Sequence, residues 1–214
     1  MGYKCIYEGG MGEIEEKKSR FICHVQAVET EEDAVSFINE KKKEYWDVKH
    51  NCYAFVIGKN AELTRCSDDG EPSGTAGRPM LSLLLSEKIC NVVVVVTRYF
   101  GGVLLGTGGL VRAYQAAVSE GLKQSVIIEK KEGIKCEAVC DYNTMGRLQY
   151  IFAENKVCVM NTEYADNVIF TLVVDASEKD RINSLIVDAT SGTITLTELE
   201  ECTYAAIDGE VVIF

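Results

Sequence analysis

Val92-Val93-Val94-Val95-Val96-Thr97-Arg98-Tyr99-Phe100-Gly101-Gly102-Val103-Leu104-Leu105-Gly106-Thr107-Gly108-Gly109 is the stretch on which the fold turns. Consecutive valines predict a strand over Asn91–Tyr99 that is covered on both faces, because an exposed face would alternate with polar residues. The strand runs into a glycine-rich turn, and a helix is predicted over Leu110–Gly121. A second turn-rich segment lies upstream, Ser67-Asp68-Asp69-Gly70-Glu71-Pro72-Ser73-Gly74-Thr75-Ala76-Gly77-Arg78-Pro79. Pro79 suits the first turn of a helix that Met80–Glu87 continues.

Further upstream, Asn51–Ile57 and Glu62–Cys66 read as strands joined at Gly58-Lys59-Asn60. Thr30-Glu31-Glu32-Asp33 resembles a capping box with Asp in place of Glu and opens a helix to about Tyr45. Tyr45 and Trp46 are expected to pack at its end. Phe21–Val28 has strand composition. Downstream the order is strand Ile134–Asp141, helix Thr144–Asn155, strands Val157–Tyr164 and Val168–Val174, helix Glu178–Ala189 and strand Thr193–Cys202. Ser177 with Asp180 is a plausible start for that last helix. A hairpin turn at Ala165-Asp166-Asn167 joins the middle strands. That β-α-β-β-α-β order is the ferredoxin-like pattern. The chain is therefore expected to be α+β, with a domain over 1–128, a ferredoxin-like domain over 134–205 and a C-terminal tail over 206–214. The boundary is expected within Glu129–Gly133.

Composition narrows the function. Hydrophobic residues make up 47% of the 214 residues and charged residues 26%, enough to bury a core without disulfides or metal. The nine cysteines are an odd number, no apolar leader opens the chain, and several alternate with apolar residues. They read as buried free thiols of a cytoplasmic protein. The longest valine run is far too short to cross a membrane. Residues 1–128 carry 15 Lys and Arg against 17 Asp and Glu, a net of −2; residues 129–214 carry 7 against 16, a net of −9. Any contact with nucleic acid belongs to the first part.

Eight of the eighteen glycines fall between Gly70 and Gly109, and four of the five arginines of residues 1–128 (Arg65, Arg78, Arg98 and Arg112) flank the same two loops. Glycine admits close approach to the backbone, and a helix N-terminus after a glycine loop favours anions. Arginine forks bind phosphate or carboxylate. Candidate anion- or RNA-binding residues are thus Lys49, His50, Arg65, Ser67, Asp68, Asp69, Glu71, Ser73, Gly74, Arg78, Arg98, Gly101, Gly102, Gly106, Gly108, Gly109 and Arg112. The competing reading is that the glycines only shape crossovers while the arginines pair internally with Asp68, Asp69 and Glu71.

Enzyme signatures are sparse. Gly101 and Gly106 have P-loop spacing, but Thr107 follows where lysine is required, and no G-x-G-x-x-G follows Tyr99. Asp68, Asp69 and Glu71 could hold Mg²⁺, although a solvated or arginine-paired turn is the commoner fate. His50 and Cys52 share a strand face, yet no third group orients them as a nucleophile pair. No catalytic residue, metal ligand or cofactor is assigned.

Lys49-His50-Asn51-Cys52-Tyr53-Ala54, the whole of Ser67–Pro79, Val96-Thr97-Arg98-Tyr99-Phe100-Gly101-Gly102 and Gly106-Thr107-Gly108-Gly109-Leu110-Val111-Arg112-Ala113-Tyr114 together resemble the IMPACT/YigZ family. The resemblance implies a first domain like domain 2 of ribosomal protein S5, a sheet backed by two helices on one side. It implies that the domain pair is similar to the fourth and fifth domains of the ribosomal translocase. Members are regarded as translation regulators, and nucleic-acid binding has been suggested for bacterial ones; no established catalytic residue comes with the resemblance. Eukaryotic members carry an N-terminal RWD domain and restrain a starvation-sensing kinase pathway. This chain begins at the IMPACT-like segment and carries the bacterial-type second domain, so the kinase pathway is not expected. Three readings stand: a non-enzymatic factor binding RNA, the ribosome or a translation protein; an enzyme on a phosphorylated or carboxylated small molecule; and a protein-interaction module.

Overall fold

A computed structural model of the chain describes residues 2–207 and 210–214. In order the elements are β1 (Tyr3–Glu8), β2 (Met11–Glu16), β3 (Ser19–Ala27), α1 (Glu31–Glu44), β4 (Asn51–Ile57), β5 (Leu63–Ser67), α2 (Gly77–Ser86), β6 (Ile89–Cys90), β7 (Val92–Tyr99) and α3 (Gly106–Lys123). The remainder are β8 (Val126–Cys140), α4 (Tyr142–Glu154), β9 (Cys158–Tyr164), β10 (Val168–Asp175), α5 (Lys179–Ala189), β11 (Thr197–Ile207) and β12 (Glu210–Ile213). The chain divides into two compact units, Tyr3–Ile128 and the segment from Glu129 onward. It passes from one to the other inside β8, between Ile128 and Glu129.

The first unit is built on an antiparallel sheet of order β2-β3-β7-β4-β5. The valines of β7 are all fully buried, and strand alternation sends them to opposite faces. Val92, Val94 and Val96 join Met80 and Leu84 of α2 and Tyr114 and Val118 of α3 in one core. Val93 and Val95 meet Ala34 and Ile38 of α1 in another. The sheet is thus covered on both faces, with α1 on the face opposite the two expected helices. Thr30 does close a capping box: its hydroxyl accepts from the Asp33 N–H at 3.1 Å, while the Asp33 carboxylate accepts from the Thr30 N–H at 3.2 Å. β1 and β2 were not expected from their polar, glycine-rich sequence. Gly12 explains why: a Cβ there would stand 2.4 Å from the Gly121 backbone of α3, so the strand is glycine-bearing where a helix presses on it.

In the second unit the sheet runs β9-β10-β8-β11-β12, and each adjacent pair is antiparallel. Two helices, α4 and α5, pack Leu148, Phe152, Ile182 and Ile186 onto Phe170 and Leu172 of β10. This is the ferredoxin-like arrangement, extended by one strand. Of the segment expected as a tail, residues 208–209 lie outside the described residues, and Glu210–Ile213 pairs with β11 as β12. Glu178, not Ser177, is the cap residue of α5, and no side chain caps it. Ser177 turns instead to the Asp175 carboxylate. No helix among the described residues is long and apolar enough to cross a membrane.

Leu84 is fully buried beneath the sheet whereas Leu85 is 44% exposed. Leu84→Ala should cost about 2–5 kcal/mol in denaturant unfolding, and Leu85→Ala should stay within about 0.5 kcal/mol.

Candidate functional site

The two loops lie at the starts of α2 and α3, and they resolve their charges in opposite ways. The cap residue of α2, Ala76, has no side chain able to accept a hydrogen bond. Asp68 supplies the missing acceptor from across the loop, taking N–H bonds from Gly74 at 2.8 Å, Ala76 at 3.0 Å and Gly77 at 2.8 Å. Burial works against its charge, but these three N–H donors and nearby Arg78 outweigh it and hold the carboxyl below its ordinary value. The anion expected at this helix terminus is therefore the protein's own.

Asp69 is also engaged internally: its carboxylate meets Lys42 at 2.6 Å and accepts from the Asn51 N–H at 2.9 Å. Asn51 in turn accepts from the Thr97 hydroxyl at 2.6 Å. His50 Nδ1 lies 3.0 Å from the Asp69 carbonyl oxygen. Ser67 accepts from the Asp69 N–H at 3.2 Å.

Glu71 is deeper still. Its Oε1 accepts from Arg98 Nη1 at 2.7 Å and from the Tyr114 hydroxyl at 2.9 Å, with side-chain exposures of 7% for Arg98 and 3% for Glu71. The guanidinium of Arg98 lies 5.4 Å from the centre of the Phe21 ring and 5.6 Å from that of Phe100. Arg98 Nε is buried without a hydrogen-bond partner. Cys52 completes the network, donating to the Asp68 carbonyl oxygen and lying 3.3 Å from Tyr114 Oη. Burial pushes its thiol up to about 12 and drives the Tyr114 hydroxyl upward as well. Both are protonated donors at neutral pH. With His50 turned to a backbone carbonyl, they do not form a thiolate–imidazole pair.

The four arginines that flank the loops divide, and the competing reading of internal pairing with a loop acid holds for Arg98. Arg98 is buried on Glu71, and Arg65 pairs with Glu31 of α1 at 2.6 Å. Arg78 and Arg112 are exposed and have no ion pair among the described residues. They sit on touching helices, since Gln115 of α3, three residues beyond Arg112, reaches the Pro79 carbonyl beside Arg78. Helix α3 starts at Gly106, earlier than expected, so Arg112 lies in its second turn. Its cap residue, Leu105, makes no side-chain cap bond, and no acid lies in its first turn. Gly106 opens it at φ +70°, a conformation that favours glycine. Gly102, Gly108 and the side chain of Lys49 are exposed, as is Ser73; Gly74 and Gly109 are half-buried.

Sequence reasoning missed the turn Lys17-Lys18 between β2 and β3. Gly101 packs on it so closely that a Cβ would fall 2.0 Å from the Lys18 carbonyl carbon, and its N–H donates to Ser19 Oγ at 3.1 Å. Both lysines are exposed without ion pairs among the described residues. A cation pair in a hairpin turn looks like any solvated turn in one dimension. Only the glycine of the second loop hints at the contact. Trp46, expected to pack with Tyr45, is 82% exposed; Tyr45 alone packs, its hydroxyl 2.9 Å from His24 Nε2. No group of three His, Cys, Asp or Glu is placed to hold a metal among the described residues. Among the described residues no cysteine is in a disulfide; six of the nine are buried and three half-buried.

Residues 17–122 match the family model described as the Impact N-terminal domain, and residues 139–193 match that of a domain of unknown function, DUF1949. The chain is 41% identical over 198 residues to the IMPACT family member YvyE of Bacillus subtilis, covering 92% of this chain and 91% of that protein. Against the IMPACT family member YigZ of Escherichia coli the identity is 33% over 187 residues, covering 86% and 92%. A crystal structure of a hypothetical protein superposes with a TM-score of 0.59 at 30% identity, covering 93% of this chain and 98% of that one.

Two consequences are measurable. Removing one partner of the Arg98–Glu71 pair strands a buried charge, so Arg98→Ala should destabilise the chain by about 3–5 kcal/mol in denaturant unfolding. Asp68→Asn keeps the shape but not the charge. A carboxyl held low stabilises the fold above its ordinary value of 3.8 and loses that contribution as pH falls through its folded value. The stability gap between parent and Asp68→Asn should therefore be full at neutral pH, about 1 kcal/mol as for a helix cap, and close below pH 3.8.

Proposed function

The chain belongs to the IMPACT family, and from that membership we propose that it is a cytoplasmic, translation-linked binding factor that holds RNA, free or within the ribosome, on the α2–α3 face of its first unit. The observation that carries this reading is the division of charge in the loops. Every acid of the first loop is turned inward, to backbone N–H groups, Lys42 or Arg98. Arg78 and Arg112 point outward from adjoining helices with no ion pair among the described residues.

The second loop adds the uncapped start of α3 and the neighbouring Lys17-Lys18 turn. A surface of this kind neutralises phosphates. The network beneath it serves rigidity: its thiol and phenol are held protonated by burial, and its carboxylate is committed to two donors. That makes a binding surface the better reading than a hydrolytic or transferase centre. The second unit, with its net of −9, would repel a polyanion, so binding belongs to the first.

Binding to an RNA oligomer should fall linearly in log–log terms with salt, losing roughly 0.7–0.9 of slope per phosphate contact removed. Arg78→Ala and Arg112→Ala should each weaken binding in fluorescence anisotropy and flatten that slope by roughly one contact, with unchanged melting for Arg112→Ala and a small drop for Arg78→Ala, since Arg78 lies near Asp68. Parent-like affinity and slope in both variants would show that RNA does not lie on this face.

A further inference from the structure

Resting on the RNA reading above, we propose that the RNA taken by this face is unpaired and that Phe100 is a platform on which one of its bases stacks. The second loop carries three apolar side chains in the open within five residues: Phe100 at 59% exposure, Val103 at 44% and Leu104 at 82%. Single exposed apolar residues are ordinary, but a cluster on one short loop marks a contact surface. This cluster is set among cations. Gly101, next to Phe100 in the chain, rests on the backbone of Lys18, which places the Lys17-Lys18 turn beside the loop that carries the ring. Arg112 follows from α3.

The ring is also held. The buried guanidinium of Arg98 lies 5.6 Å from its centre, and Arg98 is itself fixed by Glu71 and the Phe21 ring. A platform anchored in this way loses little freedom when a base settles on it, which favours binding. The alternation of exposed apolar side chains with free cations selects among forms of RNA. A duplex offers phosphates and 2′-hydroxyls to a protein but keeps its base faces stacked inside, so Phe100, Val103 and Leu104 would find no apolar counterpart. An unpaired strand offers both its phosphates and its base faces.

The test compares a uridine oligomer with a blunt RNA duplex of equal length, at two salt concentrations, by anisotropy. The parent should prefer the single strand. Phe100→Leu, which keeps an apolar side chain but removes the ring, should weaken single-strand binding roughly 5- to 150-fold, leave its salt slope unchanged and leave duplex binding untouched. Phe100→Trp should restore it. In a Trp46→Phe background that new tryptophan is the only one in the chain, and its emission should be quenched by the uridine oligomer.

Single-strand binding that survives Phe100→Leu, or Trp emission unchanged on saturation, overturns the stacking proposal while the phosphate-binding reading stands on its arginine variants. Equal affinity for duplex and single strand overturns the selection for unpaired RNA. Absence of RNA binding by the parent at low salt removes both readings.

Discussion

The Arg98–Glu71 pair is the fixed point of the first unit. Burying two charges is costly, and the cost is offset only when geometry and further hydrogen bonds are good. Here one carboxylate oxygen receives both a guanidinium N–H and a phenol O–H, and two aromatic rings lie against the cation. The three polar partners come from different places: Arg98 ends the central strand, Glu71 belongs to the first loop, and Tyr114 lies on the helix after the second. One interaction therefore sets the position of both loops relative to the sheet. Arg98 Nε is left without a hydrogen-bond partner, a cost consistent with aromatic contact on the guanidinium.

Once Glu71 is committed, the rest of the first loop has to satisfy itself. Asp68 takes three backbone N–H groups and replaces the cap that Ala76 cannot provide. Asp69 ties the loop to Lys42 of α1 and to the start of β4. The first loop thus closes its helix terminus with an internal anion, while the second leaves its terminus without a side-chain cap. Two segments that look alike in composition end with opposite electrostatic character. That difference leaves the outward face cationic although the unit as a whole is slightly acidic.

How far the sequence showed this depends on the range of each interaction. The buried strand was legible because five consecutive valines admit little else, and the two-face prediction is met by two distinct cores. The capping box at Thr30 and Asp33 was legible because its partners are three residues apart. The ferredoxin-like unit was legible from its element order. What was hidden is long-range. Internal pairing of Glu71 with an arginine was one of two open readings, but nothing local selects its partners, Arg98 27 residues away and Tyr114 43 away. The same holds for β2, whose Gly12 reads as a breaker until Gly121 is seen pressed against it. Candidate residues chosen by type alone therefore mixed inward and outward groups: Arg98 and Arg65 with Arg78 and Arg112.

The buried groups also bear on what kind of site this is. A nucleophile at neutral pH needs its conjugate base within reach, through a lowered pKa or an adjacent base. Cys52 and Tyr114 are pushed the other way by burial and by neighbouring acids, and His50 is spent on a carbonyl oxygen. Their environment makes them good donors and poor attackers. In such surroundings a thiol and a phenol act as fixed struts, and the rigidity they lend is passed outward through Arg98 to the ring of Phe100. If this surface binds RNA as proposed above, it gains from that stiffness, because the ordering cost then falls on the ligand alone. The buried network and the open cationic face are thus two parts of one arrangement, the first holding still what the second presents.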